Sequence, residues 1–329
     1  MKKILLTGIF GQDGSYLAEI LTSLGHQVNG VARMPLRAHA ARLCEHLGSK
    51  GVTPILHECD LNDDESVTAL LRHLQPDECY HLAALHRSSE ASRQGGEQSE
   101  SAMYLPNVVS GLNVLEAAAT ASPHTRIVLA GSCHMYSGAV VSPQFEGLPF
   151  APRSMYGLAK VAVADLARYY REERGLHASV AILYNHESPR RTDDFVTKKI
   201  VRGLDRMRRG ESAPLELDNL HAVKDWGFAR DYAEAMTLMG AQSAPRDLIL
   251  ATGKGRTVGE FVETAAGLAG ISDWQERVRV RNPGMPARPP VRLVGDPAAA
   301  YGVLGWRHSV SFAELIAHML ECEAQGSLG

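Results

Sequence analysis

The feature that most constrains this chain lies at its start. Residues 3–7 form a short apolar run of β type that leads directly into Thr7-Gly8-Ile9-Phe10-Gly11-Gln12-Asp13-Gly14. A helical pattern follows, in which Leu17, Ile20, Leu21 and Leu24 recur at i, i+3, i+4 and i+7 before Gly25. In a Gly-x-x-Gly-x-x-Gly turn between a strand and a helix, the first glycine permits the tight turn. The second lets backbone approach a pyrophosphate, and the third lets the helix pack close on the strand. The helix N-terminus favours the phosphate charge. Gly8, Gly11 and Gly14, with Gln12 and Asp13 between them, are therefore predicted to hold a dinucleotide.

Further apolar runs at residues 27–32, 53–57, 78–82, 126–130 and 179–183 alternate with helical patterns, one of them carrying Val108, Leu112 and Leu115 after Asn107. The runs are apolar throughout rather than alternating, as expected of strands covered on both faces. The rhythm predicts an α/β fold with a doubly wound parallel sheet, a Rossmann-type dinucleotide-binding domain over residues 1–184. Beyond Tyr184 arginine and proline become denser, and residues 282–290 are irregular. Residues 185–329 are read as a smaller, mainly substrate-binding part, with a late strand near residues 248–251 free to return to the main sheet.

A chain of 329 residues with 45% hydrophobic content can bury a full core. A formal net charge of −3 points to neither a nucleic-acid nor a membrane-surface partner. The five cysteines never fall in a Cys-x-x-Cys spacing, which reads as a reduced, cytoplasmic chain and not as a disulfide framework or zinc module. No run reaches membrane-span length, and the apolar start is too short for a signal segment. Cys133-His134 lacks further ligands at a recognisable spacing, so no metal site is predicted. Arg202, Arg206, Arg208 and Arg209 read as a solvated helix face.

The end of the second run chooses between cofactors. An acidic residue there would bind the ribose hydroxyls of NAD, but this chain has Arg33, with Arg37 and Arg42 close by, which favours a 2′-phosphate and so NADP, with NAD as the alternative. Asp60 and Leu61 suit an adenine contact, and Leu82, Ala83 and Ala84 bring backbone near the cofactor. Tyr156 and Lys160 are spaced i, i+4 on one helix face. An ammonium and a cationic cofactor ring would lower the phenol below about 10, letting Tyr156 take a hydroxyl proton while hydride leaves. Ser132 ends the run at residues 126–130 and can bond the reacting hydroxyl; strand alternation would put His134 on the same side.

Several segments resemble the GDP-mannose 4,6-dehydratase family of extended short-chain dehydrogenases/reductases. They are the glycine turn, Tyr184-Asn185-His186-Glu187-Ser188-Pro189-Arg190-Arg191, Phe195-Val196-Thr197-Lys198-Lys199-Ile200, Lys224-Asp225-Trp226-Gly227, Ala251-Thr252-Gly253 and Leu293-Val294-Gly295-Asp296-Pro297. The resemblance spans nearly the whole chain. It implies a homo-oligomer, a dimer or tetramer, that uses bound NADP to oxidise C4 of GDP-mannose, eliminates water across C5–C6 and returns hydride to C6. It places Asn185 near nicotinamide and sugar, and adds His186 to the cofactor residues. It sets Val196, Thr197 and Lys199 on the nucleotide, Lys224 and Arg288 on the pyrophosphate, and Glu187, Arg191 and His86 on the substrate side. Residues 37–47 resemble the family's subunit-bridging loop.

Two departures stand out. The family's Ser-Thr-Ser-Glu reads Ser132-Cys133-His134 at its last positions, so His134 stands where the acid/base glutamate is expected. The family's Gln-Ser-His stretch reads Leu85-His86-Arg87. An imidazole with an ordinary pKa near 6.5 can carry the same proton. The sequence thus supports a dehydratase with His134 as acid/base. It also leaves open a GDP-sugar 4-dehydrogenase, 4-keto reductase or epimerase that does not dehydrate, and a non-catalytic nucleotide-sugar sensor.

Overall fold

The computed structural model describes residues 1–86, 99–281 and 292–329. Strands β1 (Lys3–Thr7), β2 (Gln27–Val31), β3 (Ile55–His57), β4 (Glu78–His81), β5 (Arg126–Ala130) and β6 (Ala178–Leu183) alternate with helices α1 (Gln12–Ser23), α2 (Ala38–Ser49), α3 (Asp64–Leu74), α4 (Glu100–Ala121) and α5 (Met155–Arg174). Then come β7 (Asn185–Glu187), α6 (Val196–Arg208), β8 (Leu215–Leu217), β9 (Val223–Phe228) and α7 (Ala229–Ala241). The described chain continues through β10 (Leu248–Leu250), β11 (Gly255–Thr257), α8 (Val258–Ala269), α9 (Trp274–Arg277), β12 (Val278–Val280), β13 (Arg292–Leu293), α10 (Ala298–Leu304) and α11 (Phe312–Gln325).

The main sheet has seven strands in the order β10-β6-β5-β4-β1-β2-β3, all parallel. This is the expected doubly wound sheet. Ile4, Leu5 and Leu6 of β1 are at most 1% exposed, which is why that run shows no alternation. The run at residues 53–57 behaves differently: only its last part is a strand, and Ile55 and Leu56 are 47% and 38% exposed. It is the outermost strand, with a neighbour on one side and little cover. Helix α4 begins at Glu100, where the Ser99 hydroxyl caps it by accepting from Ala102 N at 3.2 Å, and it runs through Pro106 instead of starting after Asn107. Its early turns carry little core; Leu105 is exposed.

One face of the sheet packs α1, α2, α7 and α10 through Leu17, Leu21, Leu43, Met236 and Ala300. The other packs α3, α4 and α5 through Leu71, Leu115 and Val163. The C-terminal half therefore returns to the main sheet by more than the one expected strand: β10 pairs with β6, and α7 lies against α1. The remaining C-terminal elements build a third core around Ile200, Leu204, Trp226, Phe261 and Met319. Residues 37–47 form most of α2, whose Leu43 and Leu47 point into the chain's own core. No helix among the described residues is long and apolar enough to cross a membrane.

Asp225 of β9 ties the smaller sheet to the end of the main one. Its buried carboxylate accepts from Thr252 N (3.0 Å), Thr252 Oγ1 (2.6 Å), Gly253 N (2.9 Å) and Gly295 N (3.4 Å). Burial still pushes its carboxyl up to about 6, against the pull of those donors. Asp225→Ala would strand several buried donors at about 1–3 kcal/mol each. We expect a loss of at least about 2 kcal/mol in urea unfolding, with the m-value unchanged.

Candidate active site

The strand order reverses between β1 and β4, and their carboxyl ends open into a groove of about 430 Å³. Gly8, Phe10 and Gly11 line it from the first turn, Ala32 and Arg33 after β2, Leu61 and Asn62 after β3, and Leu82, Ala83 and Ala84 after β4. Gly8 has φ of 74°, and a Cβ there would lie 2.9 Å from Ala83 N. A Cβ on Gly14 would lie 2.3 Å from Gly8 O. The cradle exists only because both positions lack a side chain. Gly11 caps α1 without a side-chain hydrogen bond, leaving the first-turn N–H groups for an anion. Thr7 Oγ1 accepts from Leu82 N and Ala83 N, both at 3.2 Å, and sits 2.9 Å from His81 Nδ1, so the β4 end is fastened to the glycine turn. These residues fit a dinucleotide.

Asp13 and Gln12 are turned away from that groove. Asp13 Oδ1 lies 2.9 Å from His186 Nε2, outside straight hydrogen-bond geometry, while His186 Nδ1 is 2.6 Å from Tyr184 O. Burial opposes charge on both groups, yet their attraction prevails: the His186 imidazole is raised and the Asp13 carboxyl lowered from their ordinary values. An acidic side chain in the first turn of α1 is thus neutralised from β7. Gln12 donates to His186 O at 3.0 Å and accepts from Ser188 Oγ at 2.8 Å. Asp60 is exposed and accepts from Asn62 N at 3.0 Å; its side chain closes a turn, and Leu61 and Asn62 face the groove instead.

The reactive groups meet at the ends of β5 and α5. Lys160 is 5% exposed and donates to Ala130 O at 2.6 Å, with its Nζ 5.7 Å from the Tyr156 ring centre. Burial lowers its ammonium to about 8. In the protein alone, burial raises the Tyr156 phenol well above 10, Cys133 adds to the rise, and a hydrogen bond from Ser132 offsets only part. Strand alternation does not place His134. Residues Cys133–Tyr136 form a 3-10 turn capped by Ser132, whose Oγ accepts from His134 N at 3.2 Å. That turn brings the His134 ring within 5.9 Å of both Tyr156 and His86. Burial, with Lys224 adding repulsion, lowers His134 to about 4. Asn185 closes the floor, its Oδ1 3.6 Å from Cys133 Sγ.

The substrate-side residues separate into two groups. His86 faces the reactive cluster, and Lys224 is close enough to repel positive charge on both imidazoles. Glu187 is 2% exposed, accepts from Thr197 Oγ1 at 2.8 Å and lies 3.1 Å from Arg191 Nε. Glu187 and Thr197 are thereby committed to each other, and they fix α6 and Arg191 instead of offering free groups. Val196 packs partly buried on the third core, and Lys199 is half-buried. Arg288 lies outside the described residues. The sequence reading missed Thr7, Asn107, Ser110 and Phe195. Asn107 bonds both Leu85 N (2.8 Å) and Leu85 O (2.9 Å), and Phe195 stacks under Arg191 at 3.5 Å. Only Thr7, beside Gly8, carried a local signal.

The family description "GDP-mannose 4,6 dehydratase" matches residues 5–319 of this chain. The chain belongs to the GDP-mannose 4,6-dehydratase family. GDP-mannose 4,6 dehydratase 2 of Arabidopsis thaliana is 38% identical over 334 residues, covering 97% of this chain and 86% of that protein. The fold matches dTDP-glucose 4,6-dehydratase from Bacillus anthracis in complex with NAD, with a TM-score of 0.82 at 15% identity over 99% of this chain and 97% of that one. It also matches the Pseudomonas aeruginosa RMD protein complexed with NADPH, with a TM-score of 0.80 at 21% identity over 99% and 100% of the two chains. The two positions read from the sequence as unusual, His86 and His134, have ring centres 5.9 Å apart. For the cradle itself, Gly8→Ala combines a positive φ with the backbone clash at Ala83. Strain of about 1–3 kcal/mol predicts dinucleotide binding weaker by roughly tenfold or more in calorimetric titration.

Proposed function

We propose that the protein is a nicotinamide-dependent enzyme that acts on GDP-mannose as a 4,6-dehydratase. The observation that carries this reading is the gathering of Tyr156, Lys160, Ser132 and His134 at the end of β5, next to β4 whose own end lines a glycine-built groove, within a chain matched to that family over residues 5–319. The names of the solved relatives support a nicotinamide cofactor, and exposed Arg33 on the groove wall supports NADP over NAD. Residues 185–329 supply the substrate side, except where α7, β10 and α10 serve the main sheet. A homo-oligomer is part of the same proposal and is tested by analytical ultracentrifugation.

A bound nicotinamide would supply the site that holds hydride between its loss from C4 and its return to C6. The chain's own residues would do the rest. Gly8, Gly11, Ala83 and the N-terminus of α1 would hold the phosphates, and Arg33 the ribose end. Tyr156 would exchange the proton of the C4 hydroxyl while Ser132 orients it; buried as it is, the phenol needs an added positive charge before it can accept. His134, neutral in its cationic surroundings, would take the proton from C5 next to the new ketone. Lys224 and Arg191 would face the diphosphate.

The test is mass spectrometry of GDP-mannose incubated with the protein in deuterated water, with NADP and with NAD in parallel. A product lighter by one water and carrying deuterium at C5 is expected, formed faster with NADP. An imidazole at His134, where the resemblance sets a glutamate, favours a second reading, an epimerase. It predicts deuterium in an unchanged skeleton, and that result would displace the dehydratase.

The pH profile follows from the two shifted groups. His134 must be neutral to accept a proton, and its value of about 4 keeps it so far below the usual imidazole range. Lys160 must be charged, and its value of about 8 lets that charge go early. We expect kcat/KM to rise through about pH 4, stay level, and fall above about pH 8; a limb near pH 6.5 would exclude His134 as placed here.

A further inference from the structure

Oxidation at C4 followed by dehydration needs proton movements at three centres in turn: the C4 hydroxyl, then C5, and the oxygen leaving C6. The structure gathers three proton-carrying rings in mutual contact. The His86 and Tyr156 ring centres are 4.3 Å apart at 78°, His134 and Tyr156 5.9 Å apart at 79°, and His86 and His134 5.9 Å apart at 59°. The topology dictates this meeting. His86 follows β4 and His134 follows β5, adjacent parallel strands with His81 opposite Leu129 in register. Tyr156 enters from the first turn of α5. His86 is further fixed from its far side by Phe195, stacked at 5.5 Å and 10°, which is itself covered by the Arg191 guanidinium.

We propose that His86 is a second catalytic acid/base that works with His134 as a pair: His134 takes the C5 proton, and His86 gives a proton to the hydroxyl leaving C6. The inference rests on the dehydratase reading above. The proton count closes without any further reagent. His134 accepts the C5 proton and becomes an imidazolium. His86 donates its N–H proton to the C6 oxygen and receives the proton of His134 on its other nitrogen. The C6–O bond breaks with its electron pair on oxygen, the C5 pair forms C5=C6, water leaves, and both rings are neutral again. The proton that finally returns to C5 is equivalent to the one released by the C4 hydroxyl.

The surroundings suit one shared proton. His86 is faced by His134, by Arg191 from the segment after β7, by Lys160 from α5 and by Lys224 from β9, while Lys224 also faces His134. Burial first, and these cations second, keep the imidazoles at about 3 for His86 and about 4 for His134. Two protons on the pair would add a like-charge repulsion, so the pair carries one at a time. An imidazolium held that low is a strong donor, as a poor leaving group such as hydroxide requires.

The experiment compares wild type, His86→Asn, His86→Phe and His134→Asn with GDP-mannose and NADP in deuterated water, reading both water loss and deuterium at C5 of recovered substrate. His86→Phe keeps an aromatic ring against Phe195 and Tyr156 but carries no proton. Both His86 variants are expected to lose about 10²-fold or more in water loss while still exchanging the C5 proton. His134→Asn is expected to lose both. Water loss within about twofold of wild type in His86→Asn or His86→Phe would overturn the proposal. So would loss of C5 exchange together with water loss in His86→Phe, since His86 would then only position its neighbours. Wild type that releases no water would instead end the dehydratase reading, and the pair with it.

Discussion

The hydrogen bond from Lys160 Nζ to Ala130 O, 2.6 Å long and buried, is the contact on which the site depends. A buried ammonium without a partner would be untenable, so Lys160 must reach the last carbonyl of β5. That requirement pins α5 to the strand end at a fixed height. Tyr156, one turn earlier on the same helix, is then held against the turn that carries Ser132 and His134. The ammonium keeps its other donors for ligand, and burial has already brought its proton to the edge of release near pH 8. A single side chain therefore sets both the geometry and the electrostatic tone of the reactive corner.

The dinucleotide groove is prepared in a complementary way, by removing groups. Gly8 and Gly14 leave room that no side chain could share, and Gly11 leaves the helix start uncapped. The acidic side chain in the first turn of α1, Asp13, is held by the raised imidazole of His186. His186 belongs to β7, which pairs with β9, the strand that also carries Lys224 and Asp225. The substrate side and the cofactor turn are thus parts of one hydrogen-bonded assembly. A displacement of β9 would be felt at the first turn of α1 through His186, and at the imidazole pair through Lys224.

Periodicity made the parallel sheet legible, because strands covered on both faces write an uninterrupted apolar run. It failed where cover is missing, at exposed Ile55 and Leu56, and where a helix begins beyond the core, at Glu100. Tyr156 and Lys160 were legible as candidates through their spacing taken together with the glycine turn and the strand at residues 126–130. For His134 the resemblance and strand alternation pointed to the same residue, but the alternation argument fails, because Ser132 caps a 3-10 turn and redirects the chain. Glu187 and Thr197 could not be told apart from free binding groups, because their mutual hydrogen bond joins a strand to a helix. Contacts such as Phe195 on His86 join residues far apart in sequence, and no local pattern records them.

If His134 stands where the resemblance sets the family's acid/base glutamate, an imidazole there would differ from a carboxylate in more than its resting charge. A carboxylate beside Lys224 would be paired with it, and would remain anionic whether or not substrate is bound. An imidazole in the same place is depressed by burial first and by Lys224 second, here to about 4, and so is a weak base in the free protein. A diphosphate bound against Lys224 would offset its charge and relieve the smaller, electrostatic part of that depression. The base would then be strongest when substrate fills the site and weakest when it is empty. In a carboxylate site the same ligand would raise the pKa too, but from an already charged base, and the gain in basicity would come at the expense of desolvating an anion. The proposed histidine pair would avoid that, entering the reaction uncharged and carrying a single positive charge only while negative charge develops at C5 beside it.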